Sequence, residues 1–142
     1  MSGLEWIIEA YGCDPEALTN LDKLRALFAQ LVAGHGLNPV GEAVWHRFPK
    51  TGGITGLCLL AESHLACHTF PEYGSLCLNL FCCRPRTFRD PTSYLEREFA
   101  ATDVRIREIE RQYQVSAERQ DSGQCAVGGV QSTAHCPPST AH

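Results

Sequence analysis

The sequence lacks any Cys-x-x-Cys pair, although it holds eight cysteines in 142 residues. Cys13, Cys58, Cys67, Cys77, Cys82, Cys83, Cys125 and Cys136 are spaced as neither zinc-ligand pairs nor a disulfide framework. No metal is expected. An excess of positive charge is also missing, since 12 Lys and Arg face 16 Asp and Glu for a net charge of −4. A phosphate-backbone partner calls for a basic face, so nucleic acid is excluded as a partner. Apolar runs fall short of the ~20 residues that span a bilayer, and no membrane partner is expected. The N-terminus shows no basic stretch followed by an apolar core, so no signal peptide is read and a cytoplasmic location is predicted.

What is present fits one small domain. The hydrophobic share of 44% is ordinary for a globular chain. So small a domain leaves apolar surface uncovered, which favours self-association. Cys58, Cys67 and Cys77 lie in apolar runs, where a thiol acts as a small hydrophobe. From Ser116 to His142 the composition turns to Ser, Gly, Gln, Ala, Pro and His without periodicity. The reading is a domain over residues 1–115 and a disordered tail over 116–142.

Within the domain, Glu5–Tyr11 reads as a strand, broken by Gly12-Cys13-Asp14-Pro15. Leu21, Leu24, Phe28 and Leu31 recur at helical spacing, with Thr19 or Asn20 as N-cap and Gly34 as stop. A strand from about Val40 to Phe48 ends at the turn Pro49–Gly53. Another starts near Ile54, with an interruption around Glu62-Ser63, and resumes through Phe70. In Ser75–Cys83, Leu76, Leu78 and Leu80 alternate with Cys77, Asn79, Phe81 and Cys83. The leucine face is the seat for helices. Asp90-Pro91 reads as N-cap and first helical residue of a helix bearing Leu95 and Phe99, and Val104–Ile109 is a last strand. The order β-α-β-β-β-α-β predicts an α+β two-layer sandwich, an antiparallel sheet with both helices on one face.

One stretch gathers reactive side chains: Glu62-Ser63-His64-Leu65, then His68-Thr69-Phe70-Pro71-Glu72-Tyr73-Gly74, then a strand ending in Cys82-Cys83. Each has an ordinary structural use alone; their joint order points to chemistry. This pattern resembles the prokaryotic S-adenosylmethionine decarboxylases. The likeness extends to Glu9-Ala10-Tyr11, Cys13-Asp14, His46-Arg47-Phe48 and a Gly-x-Thr-Gly turn at Gly53–Gly56, covering roughly residues 5 to 112.

The resemblance implies a self-processing enzyme. The proenzyme would cut its backbone between Glu62 and Ser63, giving a β chain 1–62 and an α chain 63–142. Serine addition to the preceding carbonyl, elimination and hydrolysis would leave a pyruvoyl group on Ser63, the expected cofactor. Its carbonyl would condense with the substrate amine and serve as electron sink. The resemblance assigns His68 to proton transfer in processing and Thr55 to the small hydroxyl that assists it. It makes Cys83 the thiol that returns a proton after decarboxylation. Phe48 would stack on the adenine beside the sulfonium, and Glu72 would meet the ribose hydroxyls or the cation. The implied substrate is S-adenosylmethionine, its product an aminopropyl donor for spermidine, and the implied assembly a homodimer of cleaved αβ protomers.

Four positions depart from the family pattern. Phe70 stands where tryptophan is common, Asn79 where aspartate is frequent, Arg84 where glycine follows the cysteine, and Thr55 for a smaller hydroxyl residue. Three alternatives stand beside the main reading: the same chemistry on ornithine or arginine, an unprocessed regulatory paralogue, and a cysteine-rich metal module.

Overall fold

The computed structural model describes residues 2–114. The expected tail, with Cys125 and Cys136, lies outside the described residues. In chain order the elements are β1 (Ser2–Tyr11), α1 (Pro15–Leu18), α2 (Leu21–Gly34), β2 (Val44–Arg47), β3 (Ile54–Leu60), β4 (Ser63–Phe70), a 3-10 turn (Pro71–Tyr73), β5 (Ser75–Cys82), α3 (Thr92–Phe99) and β6 (Asp103–Gln112). The strands form one sheet in the order β2-β3-β4-β5-β1-β6. Every neighbouring pair is antiparallel.

Alternation sorts the sheet into two faces. Trp6, Ile8 and Ala10 of β1 join Ile54, Cys58, Leu60, Leu65 and Cys67 on one side. Leu76, Leu78, Leu80 and Cys82 of β5 complete that side, buried as the leucine alternation predicts. Leu24, Leu27, Phe28 and Leu31 of α2 and Leu95 and Phe99 of α3 close over it. The α+β sandwich with helices on one face is the observed architecture.

α2 starts where expected: Asn20 is the N-cap, and its side chain accepts from Lys23 N at 3.1 Å. The short α1 is additional, opened by Asp14, whose carboxylate accepts from Glu16 N at 3.0 Å. Buried Thr69 ties it to the sheet, donating to Leu18 O and accepting from Ile54 N, both at 2.8 Å.

Several boundaries differ from the sequence reading. The strand expected from Ile54 to Phe70 is two strands, reversing at Ala61-Glu62, so the sheet has six strands rather than five. The strand expected from Val40 to Phe48 shrinks to Val44–Arg47, with Pro39 making an isolated bridge to Leu60. Proline has no amide hydrogen and cannot extend a ladder. Gly53–Gly56 is not a turn; Ile54, Thr55 and Gly56 belong to β3. Gly56 is needed there, because an added Cβ would lie 2.3 Å from the Trp45 ring that packs beside it. The N-cap of α3 is Pro91, not Asp90, since Pro91 O accepts the first helical bond from Leu95 N at 3.0 Å. Asp90 still helps, accepting from Thr92 N at 2.8 Å.

Candidate active site

Ser63 is the first residue of β4 and leaves a tight reversal formed by Ala61 and Glu62. Its cross-strand partners are Leu60 on β3 and Cys82 on β5. The Ser63 side chain lies beside the Cys82 thiol across the β4–β5 pair, and its hydroxyl favours the thiolate. Burial raises the Cys82 pKa, and Arg86 and that hydroxyl partly oppose the rise. Cys82 is thus the buried member of the vicinal pair and Cys83 the exposed one.

Cys83 is held through its backbone. Its N–H donates to Glu62 O at 2.9 Å, and its own carbonyl accepts from the Tyr113 hydroxyl at 2.9 Å. One amide hydrogen therefore points at the carbonyl that precedes Ser63. That is the geometry that stabilises negative charge growing on a carbonyl oxygen. Sequence reading missed Tyr113, because the last strand was expected to end at Ile109.

His68 and Thr55 come together but not beside Ser63. They face each other across β3 and β4, with Thr55 Oγ1 2.9 Å from His68 Nδ1. His68 lies five residues beyond Ser63 on the same strand. At ~3.3 Å per residue that is roughly 17 Å, and the odd separation puts the two side chains on opposite faces. Ser63 faces the helices; His68 faces the open side.

The open side carries the remaining candidates. His64 Nε2 lies 3.1 Å from Asn79 Oδ1, and its ring tilts against Phe81 at 5.5 Å. Asn79 Nδ2 donates to Glu5, which also pairs with Arg111. A carboxylate thus adjoins the position where an aspartate was missed, supplied by β1. Phe48, Phe70 and Glu72 line a cleft of about 380 Å³ together with Lys50 and Thr51. The structure joins these substrate-side candidates in one place, at the end of the sheet that also holds Thr55 and His68.

Glu62, expected only as a cleavage residue, has two cationic neighbours. Arg84 Nη2 lies 3.0 Å from one carboxylate oxygen and Arg86 Nη2 3.9 Å from the other. Among the described residues, no three His, Cys, Asp or Glu side chains group as a metal site, and no helix is long and apolar enough to cross a membrane.

The model of a family described as S-adenosylmethionine decarboxylase matches residues 4–112. An S-adenosylmethionine decarboxylase proenzyme of Thermococcus kodakarensis is 34% identical over 110 residues, which is 77% of this chain and 76% of that protein. One from Moorella thermoacetica is also 34% identical over 110 residues, covering 77% of this chain and 86% of the relative. The crystal structure of the adenosylmethionine decarboxylase from Aquifex aeolicus is similar in fold, with TM-score 0.63 at 24% identity, over 84% of this chain and 97% of that one.

Proposed function

The chain belongs to the S-adenosylmethionine decarboxylase family, and from that premise we propose that Ser63 is the residue at which it cuts itself. It is an S-adenosylmethionine decarboxylase, a lyase made as a proenzyme. The relatives compared above carry that name, and none supports ornithine or arginine as the substrate.

The observation that carries the assignment is the 2.9 Å bond from Cys83 N–H to Glu62 O. An unactivated hydroxyl is a weak nucleophile and needs help at the carbonyl it attacks. Ser63 Oγ adds to the Glu62 carbonyl carbon, the C–N bond breaks, and an ester replaces the amide. The Cys83 amide meets the oxygen where charge collects during that step. Loss of the Ser63 Cα proton then breaks its Cβ–Oγ bond and frees Glu62 as a carboxylate. Water converts the enamine left at position 63 to a ketone and ammonia.

The residues fit a pyruvoyl group at this place. Ser63 is partly exposed at the exit of a reversal, so a new chain end can form without unravelling the core. When present, the pyruvoyl carbonyl supplies the electron sink for decarboxylation. Cys83, exposed and fixed through both of its backbone polar groups, returns the proton to carbon. From the His68 end of a second copy, Phe48 and Phe70 offer aromatic surface to the adenine and sulfonium, an attraction worth roughly 0.5–2 kcal/mol for a cation over a ring. Glu72 offers its carboxylate to the ribose hydroxyls or the cation from the same cleft.

His68 acts across a homodimer. Among the described residues its side of the sheet carries no helix and exposes Val44, Leu57, Leu59, Phe70 and Ile109. An apolar face of this kind favours a second copy. Within one chain about 17 Å and the sheet itself separate His68 from Ser63. The Thr55–His68 pair therefore serves processing from a second copy whose sheet end meets the Ala61-Glu62 reversal, where the Glu62–Ser63 bond can be approached from the end of the sheet. The test of the nucleophile is direct: Ser63→Ala must leave one uncut chain of full mass, and a cut chain from that variant would place the nucleophile elsewhere.

A further inference from the structure

Two guanidiniums converge on one carboxylate at Glu62. Arg84 Nη2 stands 3.0 Å from Oε1, and Arg86 Nη2 stands 3.9 Å from Oε2. Arg86 is anchored where α2 ends, with Nη1 donating to the carbonyls of His35 and Gly36, each at 3.2 Å. The segment that carries both arginines is fixed as well. Phe88 stacks on Trp6 at 5.0 Å, and Arg89 N donates to His35 Nε2 at 3.0 Å. Arg86 is thus held by the fold, and Arg84 reaches the same carboxylate from a more exposed position two residues before it.

In the uncut chain this local count is two positive charges against one negative. Self-cleavage changes it, because Glu62 becomes the last residue of the β chain and gains an α-carboxylate. A doubly negative terminal glutamate then faces two arginines, and the charges match. Arginine suits the task, since its planar fork binds carboxylates in pairs of parallel hydrogen bonds.

We propose that Arg84 and Arg86 form a seat for the C-terminal glutamate of the cut β chain, holding the new end against the body of the protein. The inference rests on the proposed cut at Glu62–Ser63. A fresh chain end frays unless it is tied down. Tied down, the last residues of the β chain keep their place beside Ser63 and Cys83. The Arg84 side chain is 74% exposed and the Arg86 side chain 28%, so salt weakens the first contact more than the second.

The experiment is trimming of the processed enzyme by carboxypeptidase Y, followed by intact mass of the β chain. A free peptide with the same C-terminal sequence serves as the control for the protease itself. Wild-type protein should keep Glu62 longest, and Arg84→Ala should lose it about two- to five-fold faster, the ratio an exposed ion pair of ordinary strength carries. Arg84→Lys should fall between them, and 1 M salt should speed trimming of the wild type relative to the control peptide. Equal rates for wild type and Arg84→Ala overturn the seat alone. Should Arg84→Ala stay uncut, the wild-type salt series decides, and a rate indifferent to salt overturns the seat. A wild-type chain that is never cut has no such end, and overturns the cleavage reading together with the seat.

Discussion

The backbone amide of Cys83 donates to the carbonyl oxygen of Glu62 at 2.9 Å, so the strand that ends in the thiol also polarises the bond before Ser63. Both steps assigned to this site, self-cleavage and proton return, depend on where the Cys83 backbone sits. Tyr113 holds it from the other side, its hydroxyl 2.9 Å from Cys83 O.

Tyr113→Phe removes that hold and nothing else of size. A hydrogen bond of this kind contributes about 0.5–1.5 kcal/mol net, so self-cleavage should slow roughly two- to ten-fold. The appearance of the two fragments with time on a denaturing gel measures it. An unchanged rate would show that Cys83 is positioned without Tyr113.

A mixed dimer tests the placement of His68. The Ser63→Ala chain cannot be cut but still carries Thr55 and His68, whereas the His68→Ala chain carries an intact Ser63. Expressed alone, each should stay whole or, for His68→Ala, cut slowly. Expressed together with distinguishable tags, the His68→Ala chain should be cut in the mixed dimer while the Ser63→Ala chain is not. Mixed dimers recovered with both chains whole would return His68 to its own protomer or remove it from processing.

Much of this arrangement was legible in the chain. The alternation of Leu76, Leu78 and Leu80 gave the buried face of β5, and the spacing from Leu21 to Leu31 gave α2. The reversal at Ala61-Glu62 was not legible as a hairpin, because Leu59-Leu60-Ala61-Glu62 holds no glycine, proline or asparagine to mark a turn. The opposite facing of Ser63 and His68 follows from strand period alone once both lie on one strand. Contacts made across the fold left no local trace. Tyr113 reaches Cys83 from 30 residues away, and Arg86 reaches the end of α2 from still farther. Likewise, nothing local shows that Glu5 stands beside Asn79, since β1 and β5 become neighbours only in the sheet.

Alkaline pH should loosen the core in a definable window. Burial pushes the Cys67 thiol from its ordinary 9.0 up to about 12, and Cys13 up to about 11. Below pH 9 the thiols are neutral folded and unfolded, and they cost nothing. Between pH 9 and about 12 the unfolded chain sheds a Cys67 proton that the folded chain keeps, so stability falls as pH rises. One such proton corresponds to about 1.4 kcal/mol per pH unit. Urea midpoints for wild type and Cys67→Ala across that window measure the share of Cys67, the variant giving the shallower decline. Parallel declines would remove Cys67 as a source.

The intact mass of freshly purified protein, taken with and without substrate plus borohydride, bears most directly on the claim that Ser63 becomes the reactive group. Two polypeptides divided between Glu62 and Ser63 are expected, the second blocked at its N-terminus and gaining the mass of a trapped amine adduct after reduction. One full-length polypeptide that takes up no adduct would contradict it.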